Sequence, residues 1–346
     1  MIIREKDPEN LEMQFAQLEG AITPTEQFYV RSHFSVPEID LRKWRLKLEG
    51  AVTREQDLSC EELRKFPART TEATLECAGN SRIFLVPKAK GVQWELGAVG
   101  NAEWTGVPLR TVLQEAGVEQ SAVEVILEGA DHGSIAEPPR PAGEIQFTRS
   151  LPIEKAMDDV LLAYEMNGRP LTPAHGFPLR AIVPGWYGVA SIKWLQRIVV
   201  TEKPFVGYYQ SVDYGYWQPT DDGPVLRPLQ EMQVKAEIAR PTLHETLPAN
   251  ANYLICGAAW SAAEIAGVEV STDGGVAWKN ATLLGASKPN AWRLWEFPWT
   301  TPEDPCRRTL LTRAIDSLGR TQPEKHDQNR GSYMINHWLP IEVEIR

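Results

Sequence analysis

Apolar positions along this chain fall mostly in short runs rather than in long helical stripes. Between Phe28 and Val200, the segments AVEVILEGA, LLAYEM, LRAIVP and LQRIVVTE are brief, rich in β-branched residues, and predict strands. Two stretches predict helices instead. DLSCEELRKF offers Asp57 or Ser59 as an N-cap, with glutamates in the turn that follows. VPLRTVLQEAG reads as the second helix, with Gly117 as its C-terminal stop. Mixed elements with few long helices predict an α+β layout rather than a doubly wound sheet.

Beyond the proline-, aspartate- and glycine-rich stretch PTDDGPVLRPL (Pro219–Leu229), a linker candidate, the texture changes. VKAEIA, NYLICGAAW, GVEVSTDGGVAWKNATLL, WRLWEFPW and RTLLTRAIDSLG alternate at short spacing between turn signals. The Asp-Gly-Gly of STDGGVAW predicts a tight hairpin. The pattern predicts an antiparallel β-sandwich of immunoglobulin type, without the cysteine spacing of an immunoglobulin disulfide. The expected division is therefore residues 1–220 and residues 221–346, in line with roughly 100–200 residues per domain. No internal repeat or low-complexity segment interrupts either part.

Composition narrows the function classes. With 42% hydrophobic and 24% charged residues, the chain reads as an ordinary soluble globular protein. No apolar run approaches the ~18 residues of a membrane span. The leader MIIREKDPENLEMQF is charged throughout and has no apolar core, so a cytoplasmic location is expected, with periplasmic export not excluded. Cys60, Cys77, Cys256 and Cys306 lie far apart with no CxxC, which argues against a zinc finger, an iron–sulfur site or a disulfide framework. A net charge of −10 argues against nucleic acid as a partner. An anionic substrate would need its cations concentrated in one pocket.

Candidate chemistry centres on TLECAGNSR, Thr74–Arg82. Small residues beside Cys77 leave room for a bulky group, and Arg82 would favour a thiolate and offer a fork to an oxyanion. The plainer reading is a buried structural cysteine. A nucleophilic role wants a dedicated base, and no local pattern supplies a histidine partner. In FYVRSHF, Arg31 and His33 point to one side if the segment is extended; otherwise His33 is an exposed loop histidine. HGFPLR sets His175 and Arg180 around a proline-fixed turn, and GVASIKW puts Ser191 and Lys193 on one face of a strand, either a binding face or a solvated one. Asp131 in GADHG either caps a turn or accepts from a ligand amine. Tyr214, in the aromatic-rich YGYWQP, is a proton-bearing phenol or a tyrosine half-buried in a loop.

The segment TLECAGNSRIFLVPKAKGVQWELGAVGNAEWTGVPL resembles the cysteine-bearing core of the sulfite oxidase family of molybdenum enzymes. FYVRSHF, YEMNGRPLTPAHGFPLRAIVPGWYGVASIKWL and VDYGYW also resemble family segments, in the family's order, and the tail NRGSYMINHW resembles its last segment. The resemblance covers most of Phe28–Trp217 together with that tail. It implies a molybdenum cofactor domain followed by an immunoglobulin-like dimerisation domain, and hence a homodimer. It further implies that Cys77 gives molybdenum its one protein sulfur, the others coming from the dithiolene of molybdopterin. Arg31, His33, Asp131, His175, Arg180, Ser191 and Lys193 match cofactor-binding positions. Arg31, Arg82, Trp94 and Tyr214 match a substrate pocket, with Lys90 and Arg330 as further cations. The implied reaction is oxidation of sulfite to sulfate, the alternative being nitrate or sulfoxide reduction on the same scaffold. No cytochrome b5-like haem module precedes Phe28, so electrons are expected to pass to a separate cytochrome or to oxygen. Two departures leave pocket shape and substrate range open. Ser81 stands where the family often carries the first of two arginines, and the stretch from Arg82 to Lys90 is short.

Overall fold

The computed structural model describes residues 1–346. Strands carry the first part of the chain. One sheet runs Arg169–Pro170, Leu161–Met166, Val99–Pro108, Arg69–Glu76, all antiparallel, with Arg180–Ile182 paired to Leu161–Met166. A second runs Gln56–Leu58, Leu46–Gly50, Leu195–Thr201, Glu124–Ser134, Glu144–Pro152, and only its Leu46–Gly50 and Leu195–Thr201 pair is parallel. Helices are few and short, as the apolar pattern predicts. Ser59 is the cap of helix Cys60–Leu63, its hydroxyl accepting from the Glu62 amide while the Glu62 carboxylate accepts from the Ser59 amide. Helix Leu109–Ala116 ends at Gly117, whose φ of 72° suits glycine.

The second part is a sandwich of two mainly antiparallel sheets. Lys235–Arg240, Asn252–Trp260, Arg293–Thr300 and Thr282–Leu283 form one. Thr246–Leu247, Ile341–Ile345, Cys306–Asp316, Ile265–Ser271 and Lys279–Asn280 form the other. Alternating residues such as Ile255, Trp295, Val268, Val270, Leu310 and Val343 fill the space between them. Two local expectations change. The Asp-Gly-Gly stretch is not a two-residue hairpin: Val270 pairs with Lys279 across a longer loop, in which Asp273 accepts from the amides of Val276 and Ala277. The linker candidate is partly a strand, Val225–Pro228, paired with Gly215–Gln218.

The two parts share one interior. A core of 44 buried residues includes Leu46, Val107 and Leu162 from the first part and Ala258, Trp260 and Trp292 from the outward side of the sandwich. The strand Arg69–Glu76 and the turn after it lie against this joint, with the Thr74 amide donating to Asn290 O and the Trp292 amide to Thr74 Oγ1.

Candidate active site

Cys77 sits one residue past the end of strand Arg69–Glu76, where the chain turns through Gly79, Asn80 and Ser81 before a short 3-10 turn at Arg82–Phe84. The turn is tightly folded on itself. The Arg82 guanidinium lies so close over Gly79 that a Cβ there would meet its Nη2 at 2.2 Å. Arg82 Nη1 donates to Val92 O at 2.8 Å, and its Nε to Ser332 O at 3.2 Å.

Cys77 opens into a cavity with an empty volume of about 650 Å³. Arg31 and His33 reach the same cavity, but so does Ser32 between them, and the backbone bends at His33, so alternation along an extended segment is not what brings them there. Arg31 Nη1 donates to Asn10 Oδ1 at 3.2 Å and to Ser32 O. His33 stacks on Phe147, with ring centroids 4.5 Å apart, and its Nε2 lies 2.7 Å from Tyr214 Oη. Burial first, then the charges of Arg31 and Lys193, hold His33 neutral with its pKa well below the usual imidazole range. Burial likewise pushes the Tyr214 phenol up, so it keeps its proton.

The far wall comes from the segment His175–Lys193. His175 ends a 3-10 turn capped by Thr172, and its Nε2 contacts Thr25 O at 3.1 Å. Burial and then Arg180 bring its pKa down to about 3. Arg180 donates to the carbonyls of His175 (3.0 Å) and Ser191 (3.2 Å), while its Nε is buried with no partner. Ser191 Oγ accepts from the Val183 amide at 3.1 Å. Lys193 Nζ donates to Ser32 Oγ at 2.8 Å and Ala174 O at 3.0 Å. Ser191 and Lys193 do not share a strand face: Ser191 follows a 3-10 turn and Trp194 has φ 50°. That irregularity, not pleating, aims both at the cavity. Asp131 enters where the ladder between Glu124–Ser134 and Glu144–Pro152 breaks register after Glu128, so it caps no turn. Burial raises Asp131 to about 7 and lowers Lys193 to about 7.

Not every candidate lines this cavity. Arg82 stands behind Cys77, and its charge acts on the thiol through space. Trp94 is fully buried in a cluster with Cys77, Phe28 and Trp104, and its indole Nε1 has no partner. Lys90 is solvent-exposed and paired with Glu137 at 2.8 Å. Arg330 bonds Asn336 Oδ1 and Gln233 Oε1, away from the cavity. The thiolate expectation also changes, because burial raises the Cys77 pKa against the pull of Arg31 and Arg82. Sequence reasoning misses three residues: Ser32, a partner of Lys193; Tyr29, whose hydroxyl crowds Gly188; and Tyr333, stacked on Tyr214 at 4.8 Å. The first two lie within FYVRSHF and Tyr333 within NRGSYMINHW, so position inside a matched segment is their only signal.

The cavity suits an anionic ligand. Arg31, Arg180 and Lys193 outnumber the single carboxylate of Asp131, and Arg180 Nε is a buried donor awaiting an acceptor. No three His, Cys, Asp or Glu side chains converge on a metal position, and Cys77 is the one cysteine in the cavity lining.

Comparison with known proteins agrees with this donor set. Residues 33–209 match the oxidoreductase molybdopterin binding domain, and residues 227–346 match the Mo-co oxidoreductase dimerisation domain. The chain is 34% identical over 348 residues to the mitochondrial sulfite oxidase of Mus musculus, covering 94% of this chain but 62% of that protein. It is 34% identical over 374 residues to inducible nitrate reductase (NADH) 2 of Glycine max, covering 98% of this chain and 41% of that protein. The crystal structure of the sulfane dehydrogenase SoxCD from Paracoccus pantotrophus superposes with a TM-score of 0.84 at 30% identity, covering 97% of this chain and 84% of that one. The chain belongs to the sulfite oxidase family of molybdopterin-binding oxidoreductases.

Proposed function

We propose that this protein oxidises sulfite to sulfate at a molybdenum centre ligated by Cys77. The observation that carries the reading is a buried cysteine opening into a cavity whose charged lining is mostly cationic, inside an acidic protein. Arg180, Lys193, His175, His33, Asp131 and Ser191 would hold the phosphorylated pterin: the cations take its anionic end, and Asp131 accepts from its amines. When bound, molybdenum held by the Cys77 sulfur and the pterin dithiolene supplies oxygen-atom transfer and accepts the electron pair.

The chain's own residues do the rest. Arg31, in the cavity wall, neutralises the sulfite anion, and Arg82 adds its charge through space from behind Cys77; both are preorganised and need no rearrangement during reaction. Trp94 backs the cysteine loop and keeps it dry. The net reaction joins sulfite to one oxygen from water and releases two protons and two electrons. Tyr214 Oη, which keeps its proton, lies 2.7 Å from His33 Nε2, a contact that fixes the phenol in the cavity wall where a reacting oxygen can hydrogen-bond to it. Electrons leave to a separate acceptor, a cytochrome or oxygen, and the sandwich pairs two copies in a homodimer. The domains divide within the hairpin Gly215–Pro228, near residue 220.

Steady-state assays on molybdenum-loaded protein test the reading. Sulfite-dependent reduction of an added acceptor, with little turnover of nitrate, is expected. Nitrate reduction with no sulfite turnover would replace this reading by the reductase alternative.

A further inference from the structure

Ser81 is the motif position that the proposed reaction leaves unused, and its surroundings give it a role. Its side chain is fully buried and faces the joint between the two parts of the molecule, not the cavity. Ser81 Oγ donates to Glu237 Oε1 at 2.6 Å and accepts from Lys235 Nζ at 2.9 Å. Lys235 Nζ also contacts Glu237 Oε1 at 2.8 Å and Glu76 Oε1 at 3.0 Å. Glu76, the residue before Cys77, takes a further bond from Trp260 Nε1 at 2.9 Å. Asn80 Nδ2 reaches both carboxylates at 3.3 Å. Lys235 is 1% exposed and Glu237 1% exposed, so no solvent completes the set.

Every side chain of the turn that flanks Cys77 in this network is thus held by a residue from strand Lys235–Arg240 or strand Asn252–Trp260. The tail adds two backbone grips, the Met334 amide on Ala78 O at 2.8 Å and Ser332 O on Arg82. Two carboxylates converge on a single ammonium here, and such a charge cannot be removed without leaving buried, unpaired acids. The cation stands at the tip of the Ser81 side chain, the place an arginine at position 81 would reach from within the turn.

We propose that Lys235 is a positioning residue for the cysteine ligand, supplying from the C-terminal sandwich the cation that the Cys77 turn lacks because position 81 is serine. The inference rests on Cys77 being the molybdenum ligand. It also makes a specific claim about exchange: a cation entering from position 81 can do the work of the one entering from position 235.

A double-variant cycle tests it, read by thermal unfolding of the full chain, by molybdenum content, and by kcat against KM for sulfite. Lys235→Met should lower the unfolding midpoint by roughly 10 °C. It should also reduce molybdenum per chain and kcat by about tenfold or more, with KM changed less than kcat. Ser81→Arg alone should destabilise, because two cations then crowd one site. Ser81→Arg combined with Lys235→Met should regain most of the midpoint and the molybdenum, although each single change harms the protein. Should Lys235→Met fail to fold, a soluble, metal-bearing double variant supports the proposal equally. A Lys235→Met protein with wild-type molybdenum and kcat would overturn it, and so would a double variant no better than Lys235→Met. The midpoints are read whether or not sulfite is the substrate, so failure of the reaction assignment leaves a distinct signature: intact exchange in stability and metal content with no sulfite turnover in any variant.

Discussion

Lys193 and Asp131 face the same cavity, and burial brings the titration of both towards neutral pH. Burial raises Asp131 to about 7, against the pull of Lys193, and burial followed by Arg180 lowers Lys193 to about 7. As pH rises through that range the pair loses protons, and its net charge falls from positive towards negative. An anionic pterin therefore meets a more favourable pocket on the acid side. Loading of the apo-protein with molybdopterin, followed by metal content, should be several-fold more complete at pH 6 than at pH 8.5, since a tenfold change in a protonation equilibrium corresponds to about 1.4 kcal/mol. Equal loading at both values would show that this pair does not face the bound anion. At this scale the sequence was informative where side chains act near their own segment. Arg31 and His33 both line the cavity, although not by alternation, since Ser32 between them lines it too, and Cys77 was marked by its small neighbours. Ser81 was not legible, because its hydrogen-bond partner Lys235 lies 154 positions away.

Among the elements, the helical turn Tyr208–Ser211 and the hairpin Gly215–Pro228 together carry Tyr214. The tyrosine has φ 55°, a left-handed conformation that costs of order 1 kcal/mol for a side-chain-bearing residue. Its amide donates to Asp213 Oδ1 at 2.9 Å, and its carbonyl accepts from the Leu229 amide at 2.8 Å. One buried side chain ties the two elements together. Arg149 donates to Tyr209 O and to Leu229 O, each at 2.6 Å, and its pKa is lowered to about 10 by burial. Arg149→Met should cost about 2–3 kcal/mol in denaturant stability, since two buried carbonyls lose charged donors. It should also lower kcat more than molybdenum content, as Tyr214 loses its fixed place beside His33. An Arg149→Met enzyme with unchanged kcat would separate that clamp from the role of Tyr214. The strands and both helices named from the sequence were readable because periodicity and capping are local properties. The 3-10 turns, the register break at Asp131 and the strand inside the expected linker depend on tertiary partners, and no local pattern announces them.

The whole molecule places its chemistry at a joint. Cys77 ends a strand of the first part, yet Lys235, Glu237, Trp260, Ser332 and Met334 of the second part hold the turn around it. The change of texture near residue 220 made two parts legible, but alternating runs say nothing of which outward face is buried. Trp260 and Trp292 show that the sandwich is half of the site's support rather than an appendage. The network beneath the cysteine is buried and charged, an arrangement that favours a unique geometry over added stability. X-ray absorption at the molybdenum edge, comparing the wild-type protein with Cys77→Ser, each shown by circular dichroism to be folded, tests whether this geometry presents the Cys77 sulfur to molybdenum. The sulfur coordination number is expected to drop by one in Cys77→Ser, with sulfite turnover lost. An unchanged sulfur shell, or an active Cys77→Ser enzyme, would contradict it.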